Sequence, residues 1–194
     1  MNFPVIHIEY PKWVSSLINW NRTYLTDQDK MELAIQMSRE NVLRETGGPF
    51  GAAIFERTTG KLVSVGMNLV VPLNNCTLHG EMVAFMMAQA RLRSFTLAAD
   101  GFPAHELFTS CDPCAMCLGA TLWSGVTRMV CGATRDDAMR FQFDEGPVFP
   151  ESYQYLEKQG IKILHGVQQK EAVEVLALYL QKTGLIYNGI PRSL

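Results

Sequence analysis

Apolar positions change period several times along the chain, and each change marks an element. Met31, Ala34, Ile35, Met37, Ser38 and Val42 recur at helical spacing. Thr26 or Asp27 can cap that helix, and Gly47-Gly48 stops it after Arg44. Gly48-Pro49-Phe50-Gly51 leads into Ala52–Glu56, a run short and apolar enough for a buried strand. Thr59-Gly60 then turns the chain into Leu62–Val70, so the two runs predict a hairpin. The pattern beyond predicts a helix over about Leu78–Arg93, a strand over Glu106–Ser110 and a helix over Pro113–Ser124. A strand at Thr127–Gly132, a weak helix near Asp136–Met139, a strand at Ile161–His165 and a helix over Gln169–Lys182 complete it. Strands alternating with helices after one hairpin predict an α/β class chain folded as a three-layer α/β/α sandwich. Residues 1–26 carry Trp13, Trp20 and Tyr24 with few regular cues, and read as an N-terminal extension wrapped across the domain or a partner subunit. Its aromatics read first as buried anchors, because each ring hides so much surface.

Composition narrows the classes. A chain of 194 residues with 47% hydrophobic content can bury one sizeable core, and nothing in its length calls for a second, so we expect a single domain over 1–194. There is no internal repeat, low-complexity tract or linker. Seventeen basic against nineteen acidic residues leave a net charge of -2, a poor balance for neutralising phosphates, which argues against a nucleic-acid partner. The apolar run at the N-terminus lacks a basic leader and is broken by Pro4 and His7, and no segment approaches a membrane span; a cytoplasmic location is expected. Five cysteines, with two in a tight C-x-x-C, suit reduced thiols and a metal better than a disulfide framework.

Two short stretches carry the chemistry: Leu78-His79-Gly80-Glu81 and Cys111-Asp112-Pro113-Cys114-Ala115-Met116-Cys117. One imidazole and two thiolates, from His79, Cys114 and Cys117, form a donor set that zinc prefers, and they leave a tetrahedral corner open for water. Asp112-Pro113 reads as a helix start, which puts Cys114 in a first turn and Cys117 over the same face. The helix terminus and the metal both favour the thiolate form there. His79 falls in another opening turn after Thr77, whose capping-box partner would be Gly80, so Glu81 is free to move protons. His-x-Glu followed by Pro-Cys-x-x-Cys is the pattern of zinc-dependent deaminases. The same cysteines could serve a thioredoxin-like redox pair or an iron–sulfur cluster, but neither accounts for His-x-Glu, and the latter lacks a fourth cysteine at Thr121. Cys111 could instead close a structural zinc shell, though its place before Asp112-Pro113 assigns it to the strand end. Cys76 and Cys131 read as small buried hydrophobes.

With those residues in view, the chain from about Met31 onward resembles the cytidine deaminase-like superfamily, and within it the bacterial guanine deaminases. The resemblance rests on Gly47–Ala52, Asn68, His79-Gly80-Glu81, Pro113–Ala120 and Phe143-Asp144-Glu145-Gly146-Pro147. It implies a five-stranded mixed sheet between helices, Zn²⁺ held by His79, Cys114 and Cys117, and subunits that pair as a homodimer. One departure is Asp112, where these proteins usually carry Glu. The resemblance also implies hydrolytic deamination of a free nucleobase, with Glu81 handling the water's proton and Glu145, or else Asp144, acting as a second acid. Guanine is the expected substrate, with ammeline sharing its amidine edge. Cytosine, cytidine or guanosine as substrate, or a noncatalytic zinc-binding module, are the alternatives. Asn68 is expected to hydrogen-bond the base edge, and Phe50, Trp123 and Phe143 to sandwich it. Tyr187, in a C-terminal tail over 184–194, is expected to cover the pocket.

Overall fold

The computed structural model describes residues 3–189; the last five residues of the expected tail and the first two of the extension lie outside them. In chain order the elements are α1 (Trp13–Leu17), α2 (Asp27–Leu43), β1 (Gly48–Glu56), β2 (Leu62–Asn68), α3 (Gly80–Leu92), β3 (His105–Cys111), α4 (Ala115–Ser124), β4 (Arg128–Ala133), α5 (Arg135–Arg140), α6 (Pro150–Lys158), β5 (Lys162–Leu164) and α7 (Gln169–Gln181). The sheet runs β2-β1-β3-β4-β5. β1 is antiparallel to β2 and β3, whereas β3, β4 and β5 are parallel, so the sheet is mixed.

Both faces of the sheet are covered, and the period-2 geometry of strands shows it. Ala53, Phe55, Phe108 and Val130 join the core beneath α2 and α7 with Met31, Met37, Val175 and Leu176. Their chain neighbours Ala52, Ile54, Leu107 and Met129 join a second core with Phe85, Leu118 and Leu156 from α3, α4 and α6. The strands therefore read as continuous apolar runs instead of alternating ones. This is the expected three-layer α/β/α sandwich.

Local chemistry sets the ends. Thr26 caps α2, its hydroxyl accepting from Asp29 N at 3.1 Å. β2 stops at Asn68, two residues before the expected end, because Asn68 Oδ1 accepts from Val70 N (3.2 Å) and turns the chain out of the ladder. Two helix starts differ from expectation. Thr77 bonds back to Asn75 Oδ1, so the N-cap of α3 is His79 itself. Likewise α4 begins after Cys114 and not at Pro113, since Asp112 spends its carboxylate elsewhere. α1 and α6 are additions to the expected set; α6 carries Pro150 in its first turn, a start signal that the pattern contained.

Candidate active site and metal centre

The C-terminal end of β3 and the N-termini of α3 and α4 meet at one place. His79 and Cys114, the two N-cap residues, both have extended backbone (φ -67, ψ 159 and φ -65, ψ 170). Cys117 sits one turn into α4 and is fully buried. His79 Nδ1 lies 3.4 Å from Cys114 Sγ, and the ligand atoms of all three residues lie within 4.8 Å of one another. Zinc bonds of about 2.3 Å to sulfur and 2.0–2.1 Å to nitrogen put tetrahedral neighbours roughly 3.6 Å apart, so the donor set fits the metal. A hydrogen bond from the Cys117 thiol, then one from His79, hold Cys114 down at about 4 against the upward pull of burial. In the metal-free cluster the same bond to Cys114, then burial, pushes the Cys117 thiol up. Cys111 lies outside the cluster at the strand end, its thiol on Thr134 O (3.7 Å).

Two carboxylates face the same cavity of about 220 Å³, walled also by Phe50, His79, Cys114, Phe143 and Tyr187. Glu81 is 6% exposed and accepts from Thr109 Oγ1 at 3.1 Å. Burial, then the negative Cys114, raise its pKa. Glu145 is 8% exposed and is pushed up to about 8, first by burial and then by Cys114 and Glu81. Asp144, its neighbour, is exposed at the rim and accepts from Gly146 N (2.9 Å). Of the two, Glu145 is the carboxylate that is buried in the cavity with His79 and Cys114.

Phe50 and Phe143 meet edge-on at 4.8 Å, and Tyr187 packs on Phe143 at 5.5 Å. A Cβ on Gly48 would lie 2.2 Å from the Tyr187 hydroxyl, so glycine there is what lets the tail lie down over the cavity. Asn68 is fully buried, and its Nδ2 has no partner among the described residues; the Tyr187 hydroxyl is in the same position. Trp123 does not sandwich anything here. It is 79% exposed on the far side of α4, beside Tyr155 and Gln159, because Cys117 and Leu118 take the inward face of that helix.

Asp112 corrects a second expectation. Instead of capping α4 it accepts from Arg135 N (3.2 Å) on Oδ2 and faces His165 Nδ1 (2.7 Å) with Oδ1. Asp112, Cys131 and His165 also bring potential ligand atoms within 4.8 Å, but both oxygens of Asp112 are committed to those bonds. Cys131 is buried as expected, while Cys76 is exposed and lines the cavity. Asn188 was not singled out from sequence, yet it bridges tail and loop, donating to Gln142 O (2.9 Å) and accepting from Asp144 N (2.9 Å). Its polar amide after the apolar Leu185-Ile186 was the available signal.

Residues 25–133 match the family model described as "Cytidine and deoxycytidylate deaminase zinc-binding region". The chain belongs to this family. It is similar to a guanine deaminase from Bacillus subtilis, 33% identical over 121 residues that make up 62% of this chain and 73% of the relative. A tRNA-specific adenosine deaminase from Buchnera aphidicola is 25% identical over 157 residues, 80% of this chain and 96% of the relative. Among solved structures, a guanine deaminase from Nitrosomonas europaea superposes with a TM-score of 0.86 at 39% identity, covering 90% of this chain and 96% of that one. A structure in complex with 2,6-diaminopurine gives 0.88 at 40% identity, over 94% and 96%.

Proposed function

We propose that this family member is a zinc-dependent aminohydrolase that converts guanine and water to xanthine and ammonia, with ammeline as a second substrate. The observation that carries the reading is the pair of buried carboxylates, Glu81 and Glu145, in one cavity with the His79–Cys114–Cys117 set. Similarity to guanine deaminases over nine-tenths of the chain supports the choice of base.

Zinc, when bound by His79, Cys114 and Cys117, supplies a Lewis acid that makes hydroxide available near neutral pH. Glu81 takes the proton from the attacking water and returns it to the ring nitrogen beside the reacting carbon. That proton shuttle is worth about 10²–10⁴-fold. Glu145, held largely as the acid by its buried surroundings, protonates the exocyclic amine so that ammonia can leave, and the proton that the added hydroxyl loses on becoming the carbonyl restores the acid. Asn68 Nδ2, without a partner among the described residues, donates to an acceptor on the base edge. Phe50 and Phe143, in contact with each other, wall one side of the ring, and Tyr187 covers part of the cavity, which favours a free base over a nucleoside or tRNA. The net charge of -2 agrees with a small-molecule substrate.

The whole chain reads as one such domain, since both cores share one sheet. Gly119 and Trp123 are exposed on α4, which carries no charged residue, and that surface supports a homodimer. Among the described residues no helix is long and apolar enough to cross a membrane. Thiolate ligands and free cysteines suit the cytoplasm.

Ammonia release from guanine, ammeline, guanosine, cytosine and cytidine tests the reading in the wild type, Glu81→Gln and Glu145→Gln, with zinc content measured beside it. Guanine should be the best substrate, and both variants should keep zinc and lose turnover. Cytosine or cytidine as the best substrate, or a Glu81→Gln protein that still turns over, would overturn it.

A further inference from the structure

The segment that carries Glu145 has no regular structure; it crosses from the end of α5 to the start of α6. Its backbone is held at three successive residues. Asp144 N donates to Asn188 of the tail, Glu145 O accepts from Ala115 N of α4 (3.0 Å), and Gly146 O accepts from Arg135 Nη2 (3.3 Å). Gly146 takes φ +69, so the carbonyl that Arg135 grips lies at a backbone turn open to glycine.

Arg135 is itself fixed from the sheet. It is the first residue of α5, and its backbone N donates to Asp112 Oδ2 at the end of β3. Parallel pairing of β3 with β4 brings those ends together, with Asp112 N donating to Ala133 O at 2.8 Å. His165 beyond β5 closes the other oxygen of Asp112. Arg135 Nε is buried and has no hydrogen-bond partner among the described residues, while Nη2 holds the Gly146 carbonyl and the guanidinium charge also reaches the Glu145 carboxylate.

We propose that Arg135, anchored by Asp112, is a positioning residue that pins the Gly146 carbonyl and thereby fixes Glu145 against the metal ligands. The proposal rests on Glu145 as the second acid. Asp112 thereby acquires a task that a helix cap would not have: its short side chain joins the strand end that leads into the metal ligands to the loop that supplies the acid.

The test is a double-mutant cycle of Arg135→Gln with Glu145→Gln, with Arg135→Lys as the conservative variant. Readouts are kcat and KM on guanine, zinc content, and hydrogen–deuterium exchange of the peptide spanning 142–147. Arg135→Gln should keep its zinc, speed exchange in that peptide and lower kcat by about 10- to 100-fold, the cost of an acid displaced by about an ångström. KM should move by less than about threefold, as expected for an interaction used in the transition state. Arg135→Lys should recover most of the loss. In the Glu145→Gln background the same change should cost less than about threefold, because its target is gone. Unchanged exchange in Arg135→Gln, or a full additive loss in the double variant, would overturn the proposal. A Glu145→Gln enzyme with undiminished kcat would instead remove the second-acid role, while exchange would still decide whether Arg135 pins the loop.

Discussion

Gly66 to alanine is a one-methyl perturbation far smaller than a change to the metal ligands, yet it should reach them. A Cβ on Gly66 of β2 would lie 2.0 Å from Gly80 O, 2.5 Å from Ala84 N and 2.9 Å from Ala84 Cβ. Since Cβ contacts under 3.0 Å essentially do not occur, the first turn of α3 must retreat by at least 3.0 − 2.0 = 1.0 Å. Gly80 is the residue between His79 and Glu81, so the proposed metal ligand and proton carrier move with it. Ser64 Oγ, which donates to Ala84 O at 2.8 Å, ties the same turn to β2 and would be pulled out of register. Overpacking of this kind costs about 1–3 kcal/mol in stability. A 1 Å misplacement at a reacting centre costs about 10²-fold in rate. Urea unfolding, zinc affinity by chelator competition and ammonia release from guanine measure the three effects. A Gly66→Ala protein with unchanged unfolding midpoint, zinc affinity and kcat would refute the claim that close approach of β2 and α3 sets the geometry of the site.

Three further outcomes follow from other parts of the fold. Glu106→Gln strips one partner from the buried Lys30–Glu106 pair (2.5 Å), which Arg128 and Asp27 extend, and should destabilise the protein by about 3–5 kcal/mol in urea. Zinc content should not change, since Glu106 is the second residue of β3 and the proposed ligands Cys114 and Cys117 lie past the strand's other end; loss of zinc from the folded variant would contradict that separation. Truncation after Gly184 removes Tyr187 and Asn188 and should raise KM for guanine while leaving fold and zinc intact; unchanged kinetics would show that the tail does not close the site. His165 has its pKa raised above its ordinary 6.5, first by the hydrogen bond to Asp112, so its contribution to stability is complete below 6.5 and is lost as pH rises through the folded-state value. Proton NMR should find that titration shifted up in the wild type and back down in Asp112→Asn; a His165 titrating below 6.5 in the wild type would break the argument.

What the chain determines locally was legible in its sequence. Cys114 and Cys117 share one turn of helix, and His79 and Glu81 share one helix start, because covalent spacing and the 3.6-residue period leave little choice. The hairpin, the alternation that follows and the sandwich they build are likewise consequences of apolar period. Side-chain facing at longer range was not. Trp123 looks like a pocket wall in sequence, but α4 presents Cys117 and Leu118 inward, and a residue five or six positions on is carried round to solvent. Cys76 reads as core and instead lines the cavity, because the turn before α3 is held by Asn75 and not by burial. Asp112 matches every local rule for a helix cap. Its carboxylate goes to Arg135 and His165 because parallel pairing sets the ends of β3 and β4 side by side and His165 follows β5 in the same sheet. Which of Asp144 and Glu145 enters the cavity was decided in the same way: successive residues of a loop have no period to sort them, so the backbone bonds from Ala115, Arg135 and Asn188 do the sorting, turning Glu145 in and leaving Asp144 at the rim.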